Sequence, residues 1–456
     1  MPLTDFQYDL EKLKNRRLQT YHRGSTSRLS RVVSRYRELS AENYSTPAIL
    51  LSIARSVMRK IIGRIRRLAL SDSFPEIAEL KAGQDLTSLT GAVLRKLERG
   101  DIGRLQAFAV RITGGLGDAL VVARLIRDLQ KILGDNLEFD VYSQSPAAVE
   151  AFFRNIPAFR KSLNLEIFEH VTRYYMFALS ANQFVTFVNE QIDYRAVLTY
   201  YPKVVKIFGY AQKKREEIEF YIKNHPYLDG AFSDIATQHG FKRYTYLHEM
   251  LGIDYGGDLL PIDVDPKISR GLDLKQKSYI TIHDGWDAKF KISTQRPTKA
   301  VPKAIWEQII AGLKAAMPDI TIVQLGGKTG DDLPQVDLNL KNRLTFSEST
   351  SIIAGAILHV DAESGLVHLA AALGIKSVVM FGPTNVAWFG YPQNINIAPV
   401  QCGNCWWSNT TWMDTCALGM TEPVCTTSIN PKTVIEATLE LLSRETAHAA
   451  KASTTA

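Results

Sequence analysis

The sequence predicts an α/β chain with two doubly wound domains in series, facing each other across a cleft, behind an α-helical N-terminal extension. Three observations carry this. Residues Val360 to Thr384 (VDAESGLVHLAAALGIKSVVMFGPT) read strand, tight turn, helix, strand, turn. Residues Gln106 to Tyr142 repeat that order around a glycine-rich turn. Residues 1–100 carry helical spacings and no strand alternation. The expected boundaries are 1–100 for the basic extension, 101–265 for the first domain and 266–456 for the second.

A chain of 456 residues has room for two or three domains. Its 45% hydrophobic and 22% charged residues fit a globular protein, and no run of about 18 apolar residues offers a membrane span. The N-terminus lacks the apolar stretch of a signal peptide, so the expected location is cytoplasmic. The net charge of +7 is unevenly placed: residues 1–100 hold 19 Lys and Arg against 10 Asp and Glu, leaving the remainder at −2.

In order along the chain, Asp5 to about Leu18 and Ser27 to Leu39 read as polar helices. Thr46-Pro47 opens a third, with proline at the first helical position. Its apolar stripe (Leu50, Ala54, Val57, Ile61, Ile65, Leu68) is flanked by arginine and lysine. Such a helix packs on the body of the protein or lies on an anionic membrane surface, which would place the chain peripherally on the inner membrane through residues 47–70. No aromatic interleaving or known motif points to nucleic acid.

The first α/β unit runs strand Ala107–Ile112, turn Gly114-Gly115-Leu116-Gly117-Asp118, helix Ala119–Leu133 and strand Leu137–Tyr142. The turn lacks the third glycine of a dinucleotide fingerprint. Asp118 stands at a strand's carboxyl end, where it serves either as a helix N-cap or as an acid–base group. The stretch 150–265 is dense in aromatics that are either core or the lining of a cleft, with helices expected around Lys203–Asn224 and Tyr244–Leu251.

After a linker (Asp263 to about Lys277), the second unit opens with strand Ser278–His283, ending in His283-Asp284-Gly285. A polar loop brings Thr298-Lys299 to a helix opened by Val301-Pro302. Strand Ile320–Leu325 ends in Gly326-Gly327, and helix Ser347–Ala356 leads to strand Ile357–Val360. Glu363, Ser364 and Gly365 form the following turn, and Leu366–Leu373 the helix, with Gly374 as its C-cap. A Ser-Gly turn at a helix start presents free N–H groups to an anion, and His368 lies one turn on, on the same side as Ser364. The plain structural reading is an ordinary capped strand–helix–strand unit. Gly382-Pro383-Thr384 closes the next strand, and the tail after Arg444 is expected to fray.

Two such domains leave a cleft between their strand carboxyl ends. A cation and a helix N-terminus there suit a pyrophosphate, and a facing carboxylate suits a hydroxyl's proton, the pairing that glycosyl transfer from a nucleotide sugar needs. The segments VRITGGLGDAL, TKAVPKAIW, VQLGG and VDAESGLVHLAAALGIKSVVMFGPT resemble glycosyltransferase family 9, the bacterial heptosyltransferases. The resemblance covers roughly Gln106–Leu442, with a poor middle. It implies the GT-B fold, with an acceptor domain first and a nucleotide-sugar domain second, an inverting mechanism and no catalytic metal. It implies Asp118 as general base, and donor contacts from Thr298, Lys299, Gly326, Glu363, Ser364, Gly365, His368, Pro383 and Thr384. Gly114, Gly115, Gly117, His283 and Asp284 are candidates for an acceptor or phosphate loop. Glu363 stands where many members have Asp, and the basic extension lies outside the family's usual core.

All four cysteines fall in one stretch: Cys402, Cys405, Cys416 and Cys425. A CxxC pair with two further cysteines close by has the spacing of a structural four-thiolate metal site, iron or zinc. The arrangement is similar to the autotransporter heptosyltransferases, a subgroup that carries a cysteine-bound iron here and glycosylates protein. The expected partners are a nucleotide-sugar donor, ADP-heptose first, a glycan, glycolipid or protein acceptor, and a second copy of the chain. A nucleotide-sugar epimerase or hydrolase of the same shape, and a non-catalytic assembly protein, remain the competing readings.

Overall fold

The computed structural model describes residues 105–134, 136–188, 192–193, 197, 201–275, 278–286, 296–409 and 411–454. The expected N-terminal helices, including the basic stripe at 47–70, lie outside the described residues.

The first sheet contains β1 (Leu105–Ile112), β2 (Glu138–Ser143), β3 (Phe159–Asn164), β4 (Tyr175–Ala181) and β5 (Val185–Phe187), in the order β3-β2-β1-β4-β5. All pairs are parallel except β4–β5. Ala107, Phe108, Ala109 and Val110 of β1 are fully buried, as a central parallel strand covered on both faces requires. Helices α1 (Leu116–Leu133) and α2 (Pro146–Phe153) follow the first two strands, and α3 (Pro202–Glu217), α4 (Asp229–Gln238) and α5 (Arg243–Leu251) are the longer helices of the rest of this half. The dense aromatics are largely core: Phe177 stacks on Phe108 with centroids 4.9 Å apart, and Tyr175 and Phe184 are buried.

The second sheet holds β6 (Tyr279–His283), β7 (Thr321–Gln324), β8 (Leu338–Asn339), β9 (His359–Ala362), β10 (Ser377–Met380) and β11 (Ile395–Ile397), in the order β11-β10-β9-β6-β7-β8, all parallel. Its helices include α6 (Lys303–Ala316), α7 (Phe346–Gly355), α8 (Gly365–Ala372), α9 (Val386–Phe389) and α10 (Pro431–Thr454). Thr345 and Glu348 start α7 as a reciprocal capping box, with N–H to side-chain oxygen distances of 3.2 and 2.7 Å.

In each sheet the strand order reverses once, between β1 and β4 and between β6 and β9. Such switch points open a crevice at the strand carboxyl ends. The two halves share a continuous apolar core. Helix α1 packs on α8, Tyr244 of α5 stacks on Tyr391 at 4.4 Å, and the fully buried Trp388 of α9 meets Phe232 and Tyr246.

Three expectations change. Helix α1 begins three residues early, so Asp118 is not its N-cap: Gly115 is, and Asp118 sits in the first turn. The linker contains a short helix, Pro266–Gly271, started by the Asp265 side chain on the Lys267 N–H. The tail does not stop at Arg444; α10 runs to Thr454, because its alanines favour helix. Among the described residues no helix is long and apolar enough to cross a membrane.

Candidate functional site

In the second half, β9 delivers the turn Glu363-Ser364 to the switch point. Ser364 caps α8 by accepting the Leu366 N–H at 3.1 Å, while its hydroxyl donates to Asp361. The serine side chain is thus fully used, and what the turn offers a ligand is backbone N–H groups at a helix start. Glu363 is buried, and its Oε2 lies 2.5 Å from Lys299 Nζ.

His368 projects from the next turn of α8. Arg124 Nη1 donates to the Tyr391 hydroxyl at 2.5 Å, and that hydroxyl lies 2.7 Å from His368 Nδ1. When the hydroxyl donates to Nδ1, the imidazole proton is on Nε2, which lies 4.0 Å from Glu363 Oε1. Burial, helped by the Arg124 charge and opposed by Asp118, lowers His368 to about 3, so the ring is neutral at physiological pH.

In the first half, Asp118 Oδ2 accepts the Gly115 N–H at 2.9 Å, and Oδ1 accepts Arg243 Nη2 at 2.6 Å. Arg243 is itself buried and also donates to the Asn182 carbonyl at 3.0 Å. Burial pushes the Asp118 carboxyl up, but the Arg243 charge and hydrogen bond and the Gly115 N–H together hold it below the usual range. Asp118 is ionised and aimed.

The two halves meet here through glycine. A Cβ on Gly117 would stand 2.8 Å from His368 Cδ2, and one on Gly365 would stand 3.3 Å from the Gly117 nitrogen. Only glycine lets the starts of α1 and α8 approach this closely. Gly114 lies against the Asp118 side chain in the same way. Asp118, Gly114, Gly115, Gly117, Lys299, Glu363, Ser364, Gly365 and His368 therefore gather at one place.

The other candidates fall around it. His283 Nδ1 lies 2.9 Å from Asp361 Oδ1, and its Nε2 donates to the Trp286 carbonyl at 3.2 Å. Burial opposes the charge, but Asp361 and Asp284 outweigh it and raise His283 to about 9, so it is a buried imidazolium. Asp361 also takes His359 Nε2 at 3.2 Å and the Ser364 hydroxyl, which ties the two loops of the switch point together. Asp284 is used by the fold, accepting the N–H groups of Trp286 and Asp331. Gly326, with φ of 150°, packs beside His283 and Lys341. Thr298 faces away: its N–H and hydroxyl go to the carbonyls of Met413 and Trp412, at 2.9 and 2.7 Å.

Those carbonyls belong to the cysteine loop, which backs directly on the turns of the second half that carry Thr298 and Pro383. The Trp406 N–H reaches the Pro383 carbonyl at 2.9 Å, a Cβ on Gly382 would stand 3.7 Å from Cys425 Sγ, and Thr384 is buried nearby. Cys402, Gly403 and Asn404 all have positive φ and form a tight knuckle. Burial, then the neighbouring cysteines, pushes the Cys405 thiol up to about 12 and Cys425 to about 11. The expected metal cluster is not drawn together: among the described residues no three His, Cys, Asp or Glu side chains stand in metal-holding positions.

Sequence reasoning missed Arg243, Arg124, Tyr391 and Asp361. Asp361 was visible as an acid inside a buried parallel strand, an arrangement that needs a partner. The others are partners across 125 to 267 residues of chain, and no local pattern marks them.

Two doubly wound sheets meeting through helix starts at their switch points form the GT-B arrangement. Residues 179–412, just over half of the chain, match the model of glycosyltransferase family 9 (heptosyltransferase), and the chain belongs to that family. Over 101 residues it is 31% identical to lipopolysaccharide heptosyltransferase 1 of Pseudomonas aeruginosa, a match covering 20% of this chain and 28% of that protein. The chain thus spans less than a third of the length of the curated relative it matches. Among solved structures it is similar to ADP-heptose LPS heptosyltransferase II of E. coli, with 17% identity, a TM-score of 0.45 and coverage of 74% of this chain and 99% of that one. It is also similar to the iron-containing dodecameric glycosyltransferase TibC of enterotoxigenic E. coli, with 15% identity, a TM-score of 0.48 and coverage of 75% and 79%.

Proposed function

We propose that this protein is an inverting glycosyltransferase that moves a heptose or related sugar from a nucleotide-sugar donor, ADP-heptose first, to a hydroxyl of a glycan, glycolipid or protein. The observation that carries the reading is the meeting of Asp118 from one half with Lys299, His368 and the α8 N-terminus from the other. Lys299 and the α8 N–H groups hold the diphosphate and stabilise the charge it gains on leaving. Glu363 and His368 Nε2 address sugar hydroxyls. Asp118 takes the proton of the acceptor hydroxyl as its oxygen bonds to the anomeric carbon; the bond from that carbon to phosphate breaks, and its electron pair leaves with the nucleotide.

Residues 101–265 serve the acceptor and 266–456 the donor. The four cysteines make a soft donor set suited to a structural iron or zinc, which would deprotonate the buried thiols and brace the Thr298 and Pro383 turns from behind. The basic extension favours an acceptor at a membrane surface, and the cysteine loop favours a protein acceptor.

The test is thermal stabilisation by ADP-heptose and by UDP-, GDP- and dTDP-sugars, with products read by mass spectrometry and metal by elemental analysis of the same sample. One donor should stabilise the protein and be consumed, and Asp118→Asn should abolish transfer while leaving donor binding nearly intact. Release of free sugar whatever the acceptor would favour the epimerase or hydrolase reading. No stabilisation by any nucleotide would favour the assembly reading.

A further inference from the structure

We infer that Glu363 is the residue by which this site distinguishes an intact nucleotide-sugar from the free nucleoside diphosphate, through an exchange of partners with Lys299. The inference rests on the assignment of Lys299 to the diphosphate.

Lys299 Nζ and Glu363 Oε2 are 2.5 Å apart, with side chains only 17% and 8% exposed. A diphosphate arriving at Lys299 and the α8 start meets this carboxylate first. An ammonium has three N–H donors, but a carboxylate and a diphosphate crowded on it in a confined site repel each other. In the inferred exchange the carboxylate gives up Lys299 to the diphosphate.

Once it does, Glu363 needs new partners. It is buried, and its Oε2 has no hydrogen-bond donor of good geometry besides the lysine contact. His368 Nε2, at 4.0 Å from Oε1, is beyond hydrogen-bond distance. A buried carboxylate stripped of its cation is strongly destabilising unless O–H or N–H donors replace it. An intact donor brings sugar hydroxyls on the far side of its diphosphate. The nucleoside diphosphate left after transfer brings none, so Glu363 reclaims Lys299 and helps to expel it. Glu363 thus rewards the substrate and penalises the product by the same change of partner.

The experiment is titration calorimetry of the full chain with ADP-heptose, ADP and inorganic pyrophosphate, on the natural protein and on Glu363→Gln and Lys299→Gln. Glutamine keeps the shape and loses the charge. Thermal melts establish that each variant is folded. Glu363→Gln should bind ADP and pyrophosphate about tenfold or more tighter than the natural protein, and the preference for ADP-heptose over ADP should shrink by a similar factor. Pyrophosphate makes the result independent of which nucleotide the donor carries. If Lys299→Gln loses pyrophosphate binding while Glu363→Gln gains none, the exchange is wrong and the phosphate assignment survives. If Lys299→Gln binds pyrophosphate as the natural protein does, the phosphate assignment itself fails. If the folded Glu363→Gln protein binds neither ADP nor pyrophosphate, the exchange is also overturned.

Discussion

Replacing Arg243 by glutamine tests how Asp118 is held. Arg243 is 2% exposed, and its guanidinium makes one charge-assisted bond to Asp118, at 2.6 Å, and one bond to the Asn182 carbonyl, at 3.0 Å. Bonds of these kinds contribute about 1.5–3 and 0.5–1.5 kcal/mol. Asp118 is about a third exposed (32%), so water replaces part of what it loses. A net destabilisation of about 2–4 kcal/mol is expected, read by urea unfolding at pH 7. The pH dependence has a definite sign. Burial raises the Asp118 carboxyl, but Arg243 and the Gly115 N–H lower it further, so its folded value lies below 3.8. Its contribution is present above the unfolded value near 3.9 and lost as pH falls through the lower folded value. The variant should lose less stability than the natural protein on acidification below about pH 4. The acid limb of its rate profile should move to higher pH, because the carboxylate becomes a stronger base, while the rate at pH 7 falls by about 10–100-fold as the carboxylate loses its aim. A variant as stable as the natural protein within about 0.5 kcal/mol, with an unmoved acid limb, would refute the pinning of Asp118 by Arg243.

Tyr391→Phe removes the hydroxyl that joins Arg124 to His368, leaving two buried polar atoms unpaired. A loss of about 2–4 kcal/mol in urea unfolding is expected, with weaker donor binding because the imidazole proton is free to move to Nδ1; unchanged stability and donor affinity would show that the link is idle. His283→Gln addresses the opposite pH range. The folded value, raised to about 9, means that its stabilising contribution is complete below about pH 6.5 and is lost as pH rises through 9. Calorimetric melts of the natural protein should decline from pH 6.5 to 9, whereas the variant should be lower at pH 6 and flatter above; parallel curves would exclude the buried imidazolium.

Much of the frame was legible in the residues themselves. Val360–Phe381 announced strand, helix and strand through an apolar run, a Ser-Gly start and a Gly374 stop, and those elements are β9, α8 and β10. The Gly114–Gly117 turn was equally plain as a glycine-rich run, although what requires glycine there is the close approach of Asp118 at Gly114 and of His368 at Gly117. These signals are local: periodicity, caps and backbone freedom act over a few residues, so a single stretch contains all of each one. The family likeness rides on the same stretches.

The middle of the chain resisted because its aromatics have no period that separates core from cleft. Packing decided it, placing Phe177 on Phe108 and Phe184 against Phe232. The electrostatics of the site were equally hidden. Asp118 reads as a helix cap or a base until Arg243 arrives from α5, His368 reads as a half-buried polar residue until Tyr391 fixes its proton, and Glu363 reads as a turn acid until Lys299 closes on it. A sequence sets the kind of each group and the local shape that carries it. Charge state, tautomer and partner depend on burial and on atoms within a few ångströms, and folding alone brings those atoms together from distant parts of the chain.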